Sequence, residues 1–361
     1  MAKSDNMRKA KEIKNDEFYT QFVDISNEIN AYIEYNPDVF RGKVILCPCD
    51  DPEWSNFTKF FAKKFDEFGL KKLISTSYAY DSKNPKPDFD WQPTLFEFED
   101  EKYDAVKSPK RGKIFTLTDQ EEPPRDVDKL KWNYLEGDGD FRSEEVKKLR
   151  DEADIIVTNP PFSLFREFVP WLIEADKKFV IIGNKNAVIY REVFPLIKEN
   201  KMWSGKTEWA GGLWFETTSK TDVDKVVNGI NMKNVPSIWF TNIDHGRRHK
   251  PLELKTTARN IKYSKHKEVL GTGYHHYDNF DAIDVPYTDA IPSDYDGIMG
   301  VPISFLDKYC PEQFEIIGIG TGDYAKELGI GKNYRGRTDL ALTIDGVQTC
   351  PFNRILIRKK V

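Results

Sequence analysis

Apolar residues recur along this chain in short bursts, and the period of each burst predicts an element. Ile25, Ile29 and Ile33, four residues apart, predict a helix within 16–40. Val44-Ile45-Leu46-Cys47, bounded by Gly42 and Pro48, predicts a buried strand. A loop over 50–56 leads into a helix from Phe57 to Phe68, closed by Gly69, and Leu73–Tyr78 predicts a second strand. Residues 81–130 break this rhythm with many prolines and an acidic stretch over 88–104, although Lys113–Leu117 has the composition of a strand. The pattern resumes at Trp132–Leu135, followed by a charged helix over 143–151, an apolar strand at Asp154–Thr158, a helix over 164–175 and a strand over 178–183. Strand–loop–helix–strand order of this kind predicts an α/β sandwich on a mixed, mostly parallel sheet. Beyond residue 200 the periodicity weakens into hairpins and irregular loops, and the basic tail Arg354–Lys360 predicts a last strand. The expected division is a flexible basic arm at 1–15, a core at 16–200 with an insertion at 81–130, and an irregular region at 201–361 with strands returning to the core.

Composition narrows the class. The 361 residues are 39% hydrophobic and 31% charged, enough apolar material for a core and too much for a disordered chain. A net charge of −5 excludes a uniformly basic nucleic-acid binder, but it conceals a segment, 241–270, with eight Lys or Arg against three Asp or Glu. No apolar run approaches a membrane span of about 20 residues, and the charged opening Met1–Arg8, with no apolar stretch after it, is not expected to act as a signal peptide. Cys47, Cys49, Cys310 and Cys350 lack the spacing of a zinc or redox motif, so reduced thiols, a cytoplasmic protein and no metal are expected.

The sharpest chemical signal is Asn159-Pro160-Pro161-Phe162, directly after a buried strand. Prolines end the strand and restrict the backbone before them, so the segment could be a strand-to-helix turn and nothing more. It also lies where α/β proteins place ligands. A fixed turn there presents two acceptors, the Asn159 carboxamide oxygen and the Pro160 carbonyl, to the two donors of an exocyclic amino group. Two converging acceptors favour a more tetrahedral nitrogen with its lone pair aimed at an electrophile, and Phe162 offers a face on which a base can stack. Methyl transfer from S-adenosylmethionine fits such a layout, because it asks for orientation and no metal.

Asp154 through Phe162 resembles the catalytic motif of amino-group methyltransferases. Asn15-Asp16-Glu17-Phe18-Tyr19-Thr20-Gln21 resembles the cofactor motif that precedes the first core strand in one class of DNA adenine methyltransferases. Cys47-Pro48-Cys49-Asp50-Asp51-Pro52-Glu53-Trp54-Ser55-Asn56-Phe57 resembles the cofactor motif of the EcoRI-type adenine-specific methylases, whose second strand matches Leu70–Ile74. The resemblance also covers Gly300–Leu306 and Gln313–Gly318, and runs from about residue 14 to the C-terminus. It implies a Rossmann-like methyltransferase sandwich and N6-methylation of a flipped adenine in duplex DNA, as in restriction-modification. Monomeric action is the default expectation, since one catalytic centre per chain can methylate the two strands of a palindrome in separate encounters. The resemblance further implies that Phe18, Tyr19 and Thr20 face the methionine part of S-adenosylmethionine. Cys49 and either Asp50 or Asp51 would lie by its amino or ribose groups, Phe141 and either Asp138 or Asp140 by its adenine unless the run 137–140 is only a turn, and Asn159 beside the methyl donor and the target base. Two departures stand out: the glycine-rich loop is replaced by Asp50-Asp51-Pro52, and the second strand ends without a carboxylate for the ribose. Asp50 could equally cap the following helix.

Flipping a base out of a duplex requires a cleft and a positive surface. Arg247, Arg248, Lys250, Lys255 and Arg259 are the candidates, unless that segment is only a solvated face. RNA or protein glutamine as substrate, and a non-catalytic DNA-binding relative, are the alternatives.

Overall fold

A computed structural model describes residues 19–79, 110–120, 131–217 and 223–360. Phe18, the arm at 1–15 and the acidic stretch at 88–104 lie outside the described residues. The chain divides into two compact units, one comprising 1–187 and 205–244, the other 188–204 and 245–361. The chain thus leaves the first unit at 188 and returns to it for forty residues, a path that hydrophobic periodicity along the sequence does not reveal.

In the first unit, β1 (Tyr19–Thr20) precedes helix α1 (Phe22–Tyr35), which buries Ile25, Ile29 and Tyr32 on one face. Strand β2 (Val44–Cys47) is buried at all four positions. It leads through the 48–55 loop to α2 (Asn56–Lys63), whose N-cap is Ser55, the hydroxyl accepting from the Phe57 N–H. A short helix, Phe65–Phe68, follows and stops at Gly69 in the left-handed region. The predicted helix over 57–68 is thereby broken at Lys64. Then come β3 (Lys72–Thr76), β4 (Lys113–Thr118), β5 (Trp132–Tyr134), α3 (Glu144–Glu152), β6 (Ile155–Thr158), α4 (Phe165–Glu174) and β7 (Lys178–Asn184). The returning segment supplies β8 (Leu213–Glu216), β9 (Lys225–Val227), β10 (Ile230–Val235) and β11 (Ser237–Thr241).

The large sheet runs in the order β5–β4–β3–β2–β6–β7–β11. Its centre is parallel, β3 with β2, β2 with β6 and β6 with β7. Its flanks are antiparallel, β5 with β4, β4 with β3 and β7 with β11. It is a large mixed sheet in an α/β unit. The expectation of a mostly parallel sheet needs that correction, and its cause is visible: β4, inside the expected insertion, and β11, beyond the expected core, both pair antiparallel with core strands. A smaller antiparallel sheet runs β1–β8–β10–β9. A buried carboxylate fixes the returning segment: Glu28 on α1 accepts from the Lys206 and Thr207 amides and from the Tyr32 and Thr207 hydroxyls, all at 2.6–2.8 Å.

The second unit holds a four-stranded sheet, β12 (Ile283–Asp284), β13 (Met299–Pro302), β15 (Arg354–Lys359) and β14 (Phe314–Ile319), in that order. The basic C-terminal tail is therefore an interior strand here, burying Ile355, Leu356 and Ile357. No described helix is long and apolar enough to cross a membrane.

Candidate active site

The carboxyl ends of β2, β3 and β6 converge on a network of buried hydroxyls. Asp50, just past β2, is 5% exposed. Its two oxygens accept from Ser55 Oγ at 2.7 Å and from Thr158 Oγ1 at 2.5 Å. Its backbone carbonyl accepts from Ser75 Oγ at 2.6 Å, Ser75 Oγ contacts Thr58 Oγ1 at 2.6 Å, and its N–H donates to the Thr76 carbonyl. One residue thus joins the last residue of β6, the cap of α2 and the end of β3. Burial outweighs the two donated hydrogen bonds and pushes the Asp50 carboxyl up to about 7. The capping alternative is realised indirectly: Ser55 is the cap, and Asp50 holds Ser55.

Thr158 is followed immediately by Asn159-Pro160-Pro161-Phe162. Pro160 is buried, and Asn159, Pro161 and Phe162 are half-buried. Pro161 accepts from the Leu164 N–H as the chain tightens into a 3₁₀ turn over Phe162–Leu164 before α4. Phe162 packs in part against the core and keeps the rest of its ring accessible. The turn is thereby held from both sides, by Asp50 through Thr158 and by the start of α4.

Tyr19 and Thr20 are brought to this end of the sheet. They pair with Glu216 and Phe215 of β8, and Asn56 at the start of α2 donates from Nδ2 to the Thr20 carbonyl at 2.8 Å. The Thr20 hydroxyl is buried with no hydrogen-bond partner among the described residues. Asp51 accepts from the Glu53 N–H and lies 3.4 Å from Lys113 Nζ. Lys113 also pairs with Glu53 and sits 4.7 Å from the Trp132 ring centroid. This buried lysine pairs with two carboxylates of the loop after β2 and offsets one of their two charges; its position inside an expected insertion hid it from the sequence pattern.

The loop after β5 reaches the same region. The Asp138 carbonyl accepts from the Ala79 N–H, and its side chain accepts from the Asp140 N–H. Close approach there demands glycine. A Cβ on Gly139, at φ +77°, would lie 2.1 Å from the Ser77 carbonyl oxygen, and one on Gly112 would lie 2.4 Å from that same oxygen. The Asp140 carboxylate is buried and gripped by Arg142 through Nε and Nη2, while Arg142 Nη1 reaches Glu167 on α4. Phe141 is 4% exposed and packs edge-on against Phe168 and Trp171 of α4. Cys49 is a free thiol, raised far above its usual range by burial first and by Asp50 second. The hydroxyls of Ser55, Thr58, Ser75 and Thr158 escaped the sequence reading. Their only signal was a small polar residue at each of several strand or helix ends.

The cationic segment of the second unit divides. Arg247 pairs with Asp307 at 2.9 Å, and Arg248 is buried, its guanidinium 3.7 Å from the Trp203 ring centroid and bonded to Asn200. Lys250, Lys255 and Arg259 are exposed. Among the described residues, no group of three or more His, Cys, Asp or Glu could hold a metal ion.

The profile of the family described as "Adenine-specific methyltransferase EcoRI" matches residues 6–360. The chain is 40% identical to the type II methyltransferase M.EcoRI of Escherichia coli, over 98% of this chain and 96% of that protein. It is 36% identical to the type II methyltransferase M.MpnI of Mycoplasma pneumoniae, over 88% of this chain and 86% of that one. It is 34% identical to M.MgeORF184P of Mycoplasma genitalium, over 89% and 88%. No solved structure matches it. With a proline-locked turn at the end of a central parallel strand and a family match along almost its whole length, the chain belongs to the EcoRI family of adenine-specific methyltransferases.

Proposed function

We propose that this adenine-specific methyltransferase carries a methyl group from S-adenosylmethionine to N6 of an adenine flipped out of duplex DNA, and that Asn159-Pro160-Pro161-Phe162 is the turn that receives the base. The observation that carries the proposal is the anchoring of this turn through Thr158 to the buried Asp50 carboxylate. An acceptor pair works only if it does not reorganise when the amine arrives. Asn159 Oδ1 and the Pro160 carbonyl would accept the two N–H groups of the adenine amine. That draws the nitrogen lone pair out of the ring and leaves it directed at the incoming carbon. Phe162 would stack on the purine. The alkylated nitrogen is strongly acidic, so the turn needs no strong base beside it.

S-adenosylmethionine supplies an electrophilic methyl group when bound. The residues at the carboxyl edge of the sheet fit it. The buried Thr20 hydroxyl awaits a polar partner. Tyr19 and Thr20 would hold the methionine part, Asp51 the amino or ribose groups, and Asp138 and Asp140 the adenine side. Asp50 is a positioning residue in this scheme, since both its oxygens are engaged by hydroxyls of the chain. Phe141 supports Asp140 from the α4 side. The exposed Lys250, Lys255 and Arg259 would meet DNA phosphates, and Arg247 and Arg248 would hold their segment in place.

The test is incubation with methyl-labelled S-adenosylmethionine and mixed-sequence duplex DNA, followed by nucleoside mass analysis. Label in N6-methyladenine is the expected result. Label in RNA or protein instead, or none in any sequence context, overturns the proposal.

A further inference from the structure

We propose that the loop Lys332–Arg337 of the second unit is a preformed contact site for DNA phosphates, an inference that rests on the duplex-DNA reading above. The sequence Lys332-Asn333-Tyr334-Arg335-Gly336-Arg337 places three cations and an aromatic ring in six residues. Lys332, Tyr334, Arg335 and Arg337 are all exposed, and Asn333 is buried. That burial is what makes the loop a built feature. Asn333 Oδ1 accepts from the Arg335 and Arg337 amides at 2.9 and 3.2 Å. Its Nδ2 donates to the Asp339 carbonyl and to Cys350 Sγ, each at 3.3 Å. The Asn333 N–H donates to the Arg337 carbonyl, and the Gly336 N–H to the Asn333 carbonyl, both at 2.8 Å. Gly336 sits at φ +72°, a conformation that costs a side-chain-bearing residue about 1 kcal/mol or more. One buried amide and one glycine therefore fix a closed turn whose other side chains all point to water.

All three cations on this turn are available, whereas several of those in 241–270 are already engaged. Arg247 is paired with Asp307, Arg248 is buried on Trp203, and Lys265 lies 2.9 Å from Asp289. Among the described residues, Lys332, Arg335 and Arg337 have no carboxylate partner. The nearby Asp339 accepts from the Gly322 N–H. The Arg335 guanidinium lies 5.0 Å from the Tyr334 ring centroid, within cation–π range, and the residue remains exposed. A rigid loop with open forks loses little ordering entropy when it meets a polyanion. A merely solvated loop has no need of a buried asparagine to hold its cations apart.

The test measures binding of the full-length protein to a short fluorescent duplex of mixed sequence by anisotropy across a salt series. Each lost phosphate contact lowers the slope of log K against log salt by about 0.9. Arg335→Ala/Arg337→Ala is expected to lower that slope by about 1.8 and to weaken binding about tenfold or more at low salt. Arg335→Lys/Arg337→Lys is expected to keep most of the slope. Asn333→Ala, which keeps every charge, is expected to weaken binding several-fold by loosening the turn. Circular dichroism and binding of labelled S-adenosylmethionine should match the unmodified protein in all three. An unchanged slope in the double alanine variant overturns the assignment. So does a loss confined to one DNA sequence with the slope intact, which marks base reading instead. Failure of the unmodified protein to bind duplex DNA overturns the functional reading itself, and the loop assignment with it.

Discussion

Two turns of this molecule are held by buried polar side chains, and they are built for opposite purposes. At the carboxyl edge of the large sheet, Asp50 takes two hydroxyls and fixes a turn whose own residues carry no charge. In the second unit, Asn333 fixes a turn whose charges are outside and uncompensated. The first suits chemistry on an uncharged base, where a fixed dipole counts and a loose charge would interfere. The second suits a polyanion, where an exposed charge counts and exact placement does not. Buried hydrogen bonding rigidifies in both cases; what it presents differs.

The comparison can be broken most forcefully at the first turn. Asn159→Ala removes one of the two proposed acceptors, and methylation should fall about 10²–10³-fold or more, as for loss of one preorganised hydrogen-bonding group. The melting temperature and the affinity for duplex DNA should hardly change. Undiminished single-turnover methylation would detach the chemistry from this turn.

Gly139→Ala should cost about 2–4 kcal/mol in urea unfolding. It sets a Cβ against the Ser77 carbonyl oxygen and forces a side-chain-bearing residue into positive φ. Its neighbour Gly137 has no positive φ and meets only a carboxylate tip at 3.3 Å, so Gly137→Ala should be milder.

Asp50→Ala should cost about 1–3 kcal/mol by stranding buried hydroxyls, and should lower the turnover rate more than it raises the KM for either substrate. The pH dependence has a definite sign. Burial raises this carboxyl to about 7, so the folded chain keeps a proton that the unfolded chain releases near its ordinary value of 3.8. Its contribution to stability is full below that value and is lost as pH rises through about 7. Asp50→Asn should flatten the fall in stability over that window by up to about 1.4 kcal/mol per pH unit. Denaturant midpoints of both proteins between about pH 5 and 8 would measure it.

The smallest effects sharpen the division of the cationic segment. Arg248→Ala should lower stability by about 1–2 kcal/mol through loss of the Trp203 and Asn200 contacts, and leave the salt slope of DNA binding unchanged. Arg259→Ala, at an exposed site, should do the reverse, with stability within about 0.5 kcal/mol of the unmodified protein and a slope lower by about 0.9.

Much of the first unit was legible because its strands are short apolar runs bounded by turn formers. Val44–Cys47 and Ile155–Thr158 stand where periodicity puts them, and α3 lies within a residue or so of the charged helix expected over 143–151. The turn at Asn159 was legible because two prolines permit few backbone paths. Less legible was the meaning of Asp50. Beside a motif resemblance it reads as a cofactor ligand, yet its partners Ser55 and Thr158 are 5 and 108 residues away. Arg247 and Arg248 read as surface charges for the same reason: Asp307 and Trp203 are not their sequence neighbours.

The sequence by itself therefore determined the alternating elements of an α/β unit, the place of the proline turn at Asn159 and the family, because each rests on local backbone preference or on short contiguous motifs. Only the tertiary structure decided that β4 and β11 make the sheet mixed and that residues 205–244 return to the first unit. It alone decided which cations are free to meet a partner. Those outcomes depend on contacts between residues far apart in the chain, where burial and pairing set the cost of a charge, and no local pattern encodes them.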